Sequence, residues 1–256
     1  MITFDSVCTK RVSYVLPTIG RRQHMLLALH NLADLKTEQD EVVVIDCSDN
    51  EETQRLAEAW TPLVDTYIHE RELGIGLGFN RGILLARGRL IRLMADDDIT
   101  YPRAMAQAVA IMENDSSIDM LYCRIIKHLF GEAPLLTRSL ADVDYSSSVW
   151  GPVKYGACGV GYVFRRKACA VVGLMLPRSL AQDVEYVMRF IARDLRVVTS
   201  DLVLAYHPTW SHSEGVLNPK CWCEDFVKVC QAYGMPAHLV EKNGDFEVLF
   251  EHLPGK

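Results

Sequence analysis

Between Val12 and Asp98 the chain alternates short β-branched runs with stretches of helical spacing, and this alternation restricts the fold more than any other feature of the sequence. Val12-Ser13-Tyr14-Val15-Leu16 reads as a first strand, closed by Pro17-Thr18. Met25, Leu26, Leu29, Leu32 and Ala33 then recur at helical spacing. The Val42-Val43-Val44-Ile45 run has no polar alternation, so residues 41–45 form a strand buried on both faces. Asp49 or Asn50 is placed to cap a helix through Leu56, Ala57 and Trp60, and residues 66–68 form a third strand. After a glycine-rich segment, a helix carrying Phe79, Ile83 and Ala86 leads to a fourth strand. Repeated βαβ units build an α/β fold on a mostly parallel sheet flanked by helices, and ligands bind at the strand-end edge of such sheets.

The fourth strand delivers three consecutive carboxylates, Asp96-Asp97-Asp98, to that edge. Unit charges about 4 Å apart repel by roughly 1 kcal/mol in water and roughly 4 kcal/mol at an effective dielectric near 20, so a buried strand end gains nothing structural from them. A bound dication reverses that sign, and hard oxygen ligands suit Mg²⁺ or Mn²⁺. Capping of the helix entered through Pro102, by Asp98 or Thr100, explains one acid and not three. In extended backbone, Asp96 and Asp98 point to one side and Asp97 to the other.

The second half is patterned differently. Residues 102–114 form a helix with Met105, Val109 and Met112 inward, and residues 118–126 a strand. Residues 128–156 have little periodicity and read as a long excursion facing a substrate. A strand over 159–164, a helix over 183–193 and strands over 195–198 and 202–205 follow. Trp222, Phe226, Val229 and Tyr233 share one helical face that packs on the body of the protein.

With 49% hydrophobic and 23% charged residues the chain can bury a substantial core. A net charge of −6 gives no field to draw nucleic acid, so nucleic acid is excluded as an expected partner. No apolar signal core follows Met1, and the longest apolar stretch, residues 168–176, is far too short to span a bilayer. A soluble cytoplasmic protein is expected, with peripheral docking at the cytoplasmic membrane face left open. The eight cysteines form no C-x-x-C pair and point to a reduced compartment. Gly74-x-Gly76-x-Gly78 with Gly82 imitates a dinucleotide fingerprint, but Phe79 stands where the third glycine belongs.

Taken together, these residues resemble the GT-A glycosyltransferases, most of all the large family-2 group. Val15-Leu16-Pro17-Thr18 resembles its opening strand and turn, residues 41–49 its second strand with an acidic base-binding end, and Asp96-Asp97-Asp98 falls where its D-x-D motif belongs. Residues 71–76, 80–83 and 86–91 follow its glycine/asparagine segment. The similarity resumes at residues 161–166, Val172-Gly173 and Gln182-Asp183-Val184-Glu185, with Arg189 after them. It spans most of residues 12–207, and the order and spacing of the motifs carry it.

The resemblance implies a single GT-A domain over residues 1–256. Residues 11–100 would bind the nucleotide-sugar, 101–215 the acceptor and catalytic groups, and 216–256 would form a C-terminal helical segment. It implies a metal-dependent transfer from a nucleotide-sugar, a UDP-sugar by family expectation, to a saccharide or lipid-linked saccharide with inversion. Pro17, Thr18 and Asp46 would line the base and ribose, within a donor surface that includes Gly74, Asn80 and Asp97. Cys47 stands where many relatives carry an acid, so the base contact falls to Asp46, Ser48 or Asp49. Asp96 would reach the ribose or a metal-bound water, Asp98 would hold Mn²⁺ or Mg²⁺, and His207 would complete the metal shell. Arg71 and Arg81 suit phosphate by guanidinium geometry. Asp183 resembles the catalytic base, with Glu185 ranked second, although Gln182 replaces the glutamate usual beside that aspartate. Trp150, Tyr155 and Trp210 offer aromatic faces for acceptor sugars. A retaining transferase, a nucleotidyltransferase and a non-catalytic binding module are the competing readings.

Overall fold

The computed structural model describes residues 8–49, 51–71, 73–129, 133–136, 159–177, 179–209, 217–242 and 245–251. Strands β1 (Lys10–Thr18), β2 (Glu41–Asp46), β3 (Thr66–His69) and β4 (Gly88–Leu93) alternate with helices α1 (Arg22–Leu35), α2 (Glu52–Ala59) and α3 (Gly74–Leu85). β1 pairs in parallel with both β2 and β4, and β2 with β3, as the βαβ pattern requires. The burial pattern follows the period of two. Val12, Tyr14 and Leu16 of β1 and Val42 and Val44 of β2 pack on the α1 side, whereas Val15 of β1 and Val43 and Ile45 of β2 turn to the other face.

The second half adds β5 (Ile99–Thr100), α4 (Pro102–Asn114), β6 (Met120–Leu129), β7 (Leu135–Leu136), β8 (Tyr162–Arg165), α5 (Cys169–Val172), α6 (Gln182–Ala192) and β9 (Val197–Thr209). The sheet order is β3-β2-β1-β4-β8-β6-β9-β5, with β7 on β6. Here the expectation of a mostly parallel sheet gives way to a mixed one: β8 runs antiparallel to β4 and β6, β5 antiparallel to β9, and β6 parallel to β9. Phe164 of β8 meets Tyr186 and Phe190 of α6 edge to face, at centroid separations of 5.6 and 5.9 Å, in the apolar layer that seats α6.

Several local expectations are corrected. The glycine-rich segment is itself helical, because α3 starts at Gly74. Its glycines admit close approach: a Cβ on Gly82 would lie 2.2 Å from Val15 Cγ1, and one on Gly76 2.5 Å from the Pro177 carbonyl oxygen. Glu51, not Asp49 or Asn50, occupies the α2 cap position, without a side-chain cap bond. The two strands expected over 195–205 are one continuous β9. The C-terminal segment, expected to be helical, is a helix α7 (Pro219–Ala232) followed by an antiparallel hairpin of β10 (Ala237–Lys242) and β11 (Asp245–Phe250). Trp222 stacks on Phe226, which meets Phe250 of the hairpin edge to face, and Val229, Phe226 and Tyr233 join the apolar cluster of Phe164 and Tyr186, so this helix does pack on the body. The seven described cysteines are free. Among the described residues no helix is long and apolar enough to cross a membrane.

Candidate active site

The carboxyl ends of β1, β2, β3 and β4 meet at one edge, and buried polar side chains gather there. Thr18 closes β1, and its hydroxyl donates to Asp96 Oδ2 at 2.7 Å. Arg21, just before α1, spans two acids: Nη2 contacts Asp96 Oδ1, and Nη1 lies 3.3 Å from Asp97 Oδ2. Burial opposes the Arg21 charge, but the hydrogen bond and charge of Asp96, with those of Asp97, outweigh it and leave the guanidinium pKa raised. In the first turn of α1, His24 joins Asp96 and Asp97 in a group whose ligand atoms lie within 4.8 Å of one another.

The backbone explains this grouping. β4 ends at Leu93, and residues 95–98 turn, with Asp98 N donating to the Ala95 oxygen at 3.3 Å. Alternation along an extended strand therefore does not apply to the trio: Asp96 and Asp97 face Arg21 and His24, while Asp98 turns away. Asp98 Oδ2 accepts from Ala95 N at 3.0 Å, and Oδ1 lies 2.8 Å from His207 Nδ1. The antiparallel register of β5 and β9, Ile99 opposite Tyr206, is what brings these two residues together. Burial lowers the His207 pKa, but the Asp98 hydrogen bond and the charges of Asp98 and Asp97 leave it raised overall. Downstream of the turn, Thr100 exchanges two hydrogen bonds of 2.8 Å with the Asn31 amide and accepts from the fully buried Arg92 at 2.8 Å.

Two strands over, Asp46 is buried and accepts from Ser48 N at 2.9 Å and Tyr67 Oη at 2.6 Å, while His69 Nε2 sits 2.8 Å from the Ser48 oxygen. Pro17 lies under α3, where a Cβ on Gly78 would come within 2.8 Å of it. Gly74 opens α3 at φ +71°, and Arg71 is exposed just before it.

Two expected donor residues have other duties. Asn80 is buried, and its amide both donates to and accepts from the Met175 backbone at 2.9 Å, tying α3 to the loop before α6. Arg81 donates to Glu70 at 2.8 Å.

Asp183 stands in the first turn of α6, where a carboxylate is favoured by the helix dipole. Its oxygens accept from Gly159 N at 3.0 Å and Val184 N at 2.8 Å. Desolvation raises its pKa above the usual carboxylate value, against the pull of these two amides and of Lys127. The charge of Lys127 on β6 is felt at both Asp183 and His207, and Lys127 is in register with His207.

Glu185, expected as a second catalytic candidate, lies on another face of the helix. It pairs with Arg189, accepts from Tyr233 Oη at 2.8 Å, and borders a cleft of about 790 Å³ between α6 and α7. That cleft lies apart from the acid edge: none of Thr18, Asp96, Asp98 and Asp183 lines it. Trp150, Tyr155 and Trp210 fall outside the described residues.

The sequence reading missed Arg21, His24, Tyr67 and Lys127. A signal existed for the first two: they follow the Pro17-Thr18 turn three residues apart, which puts them on one helical face. The donor set joins hard carboxylate oxygens to a borderline imidazole, and a guanidinium already stands among the carboxylates as an internal cation. These residues suit a divalent ion.

The family model described as Glycosyl transferase family 2 matches residues 13–172. A curated relative, an uncharacterized glycosyltransferase (MJ1057) of Methanocaldococcus jannaschii, is 29% identical over 84 residues. That stretch is 32% of this chain and 29% of the relative, so the chain spans less than a third of the curated relative it matches. In fold the chain is similar to S. aureus TarS 1-349 in complex with UDP-GlcNAc (TM-score 0.65, 16% identity, 86% of this chain and 66% of that one). It is equally similar to the mannosyltransferase PcManGT from Pyrobaculum calidifontis in complex with GDP-Man and Mn²⁺ (TM-score 0.65, 16% identity, 87% and 63%).

Proposed function

The chain belongs to glycosyl transferase family 2, and from that premise we propose that it transfers a sugar from a nucleoside-diphosphate donor, foremost a UDP-sugar, to a hydroxyl of a saccharide or lipid-linked saccharide, with inversion at the anomeric carbon. The observation that carries this reading is the acid edge, where Asp96, Asp97 and Asp98 meet Thr18, Arg21, His24 and His207. Similarity to folds holding UDP-GlcNAc, or GDP-Man with Mn²⁺, supports a sugar nucleotide as the ligand.

Pro17, Thr18, Asp46 and Ser48 form the wall for base and ribose, and Asp96 reaches the ribose from the end of β4. Asp96, Asp97 and His24 on one side, and Asp98 with His207 on the other, are the groups that would hold Mn²⁺ or Mg²⁺. When bound there, a dication supplies charge neutralisation to the departing diphosphate without a proton transfer. Arg71, exposed at the mouth of α3, adds a guanidinium for phosphate oxygens.

Asp183 takes the proton of the acceptor hydroxyl as that oxygen bonds to the anomeric carbon, and the bond to the diphosphate breaks on the opposite face with its electron pair leaving on phosphate. The Gly159 and Val184 amides fix the direction of the carboxylate, and its raised pKa makes it a stronger base than an exposed aspartate.

The test is a thermal-shift screen of UDP-, GDP- and dTDP-sugars with and without Mn²⁺, because a ligand that binds only the native state raises its apparent stability. UDP-sugars are expected to raise the midpoint in the presence of Mn²⁺, and Asp98→Ala to abolish the metal-dependent part. A screen in which no sugar nucleotide moves the midpoint contradicts the reading.

A further inference from the structure

Arg21 makes contacts that a purely structural arginine does not need. It crosses between two acids that are neighbours in sequence, with one guanidinium nitrogen on Asp96 and another 3.3 Å from Asp97. Its Nε is buried and has no hydrogen-bond partner among the described residues. The side chain retains 28% exposure, so it has room to move. The other Asp96 oxygen is already held by Thr18, and His24 approaches the same two acids.

The geometry points to Arg21 as an exchangeable counter-cation, which neutralises Asp96 and Asp97 in the empty site and passes to the donor's diphosphate when a divalent ion takes those carboxylates. This rests on the metal-dependent sugar-nucleotide reading given above and adds a linkage to it. A guanidinium and a dication cannot share the same two carboxylates, since like charges at contact distance repel strongly. While Arg21 is in place, the cation site is therefore weak. A diphosphate offers the planar guanidinium a bidentate partner of greater charge, and it can satisfy the idle Nε as well. Drawing Arg21 onto phosphate frees the acids, so donor and metal each raise the other's affinity by the same factor. An arginine that only holds the acidic turn in place would differ in the metal: its removal would weaken Mn²⁺ binding as well as nucleotide binding.

The experiment measures Mn²⁺ binding by the electron paramagnetic resonance of the free ion, with and without UDP, in the wild-type chain, Arg21→Gln and Arg21→Lys. Removing one unit charge next to a dication should tighten Mn²⁺ binding without UDP by about tenfold in Arg21→Gln. The extra tightening that UDP gives the wild type should largely vanish, and UDP affinity at saturating Mn²⁺ should fall by about tenfold or more, the scale of a charge-assisted bidentate contact. Arg21→Lys keeps the charge but not the fork, so its Mn²⁺ affinity without UDP should stay near wild type while UDP binding weakens. It tests the same claim should the glutamine variant fail to fold.

Unchanged or weaker Mn²⁺ binding in Arg21→Gln, or coupling to UDP that survives in it, overturns the role of Arg21. A wild-type chain that binds no Mn²⁺ even with UDP overturns the functional reading on which it rests.

Discussion

At the acid edge every buried carboxylate is met by another side chain: Asp46 by Tyr67, Asp96 by Thr18 and Arg21, Asp98 by His207. At the start of α6 the Asp183 carboxylate is met by two backbone amides. The difference has chemical content. Side chains can exchange partners when a ligand arrives, so the first region suits charges that come and go. Backbone amides stay where they are, and desolvation around them raises the carboxyl pKa, so the second region suits one proton acceptor held in one direction.

The sharpest way to break this contrast is to neutralise the fixed carboxylate. Asp183→Asn should lower turnover by about 10³-fold, the usual scale of a positioned general base, while UDP-sugar binding stays near wild type in calorimetry. Its neighbour serves as the control. Glu185→Gln should leave turnover nearly unchanged and cost about 1–3 kcal/mol of stability in urea, because Arg189 and the Tyr233 hydroxyl lose a charged partner. Similar losses of turnover in the two variants would erase the distinction between the two faces of α6.

Next in size is the joint between the regions. Asn80→Ala removes both hydrogen bonds to the buried Met175 backbone and should destabilise the fold by about 2–4 kcal/mol, read from the shift of the urea midpoint. Lost donor affinity at unchanged stability would return Asn80 to the nucleotide.

The smallest effect is in the pH profile. Desolvation raises the Asp183 pKa, so the rate should fall on acidification through a value above the ordinary aspartate range, as the base takes up its proton. The linkage for stability runs the other way. A carboxyl whose pKa is higher in the folded than in the unfolded chain favours folding when protonated, so this group contributes stability as pH falls and opposes folding at neutrality. Lys127 opposes the rise, and Lys127→Met should move the acid limb of kcat/KM upward, because a positive charge that favours the ionised carboxylate is lost. A limb that stays in place would remove Lys127 from the environment of the base.

What the sequence disclosed follows from what periodicity can encode. Four strands of the parallel half, their edge and the acid trio were legible because β-branched runs and a carboxylate cluster are local signals. The start of α3 at Gly74 was not, since glycine disfavours helix and only the approach of Pro177, Pro17 and Val15 explains Gly76, Gly78 and Gly82 there. Tyr67 and Lys127 become site residues through contacts across the chain, which spacing cannot report. Helical spacing ranks Glu185 behind Asp183 but names no partner for it, and the contacts with Arg189 and Tyr233 were not legible. The hairpin after α7 escaped notice because Ala237–Lys242 and Asp245–Phe250 are short and lie against a helix that carries the apolar signal.

Manganese anomalous scattering from a crystal grown with Mn²⁺ and UDP tests the central claim most directly. The account predicts an anomalous peak within bonding distance of the Asp96–Asp98 turn, with the diphosphate beside it and the base running toward Asp46. A nucleotide lodged elsewhere, or a peak remote from those three carboxylates, would contradict it.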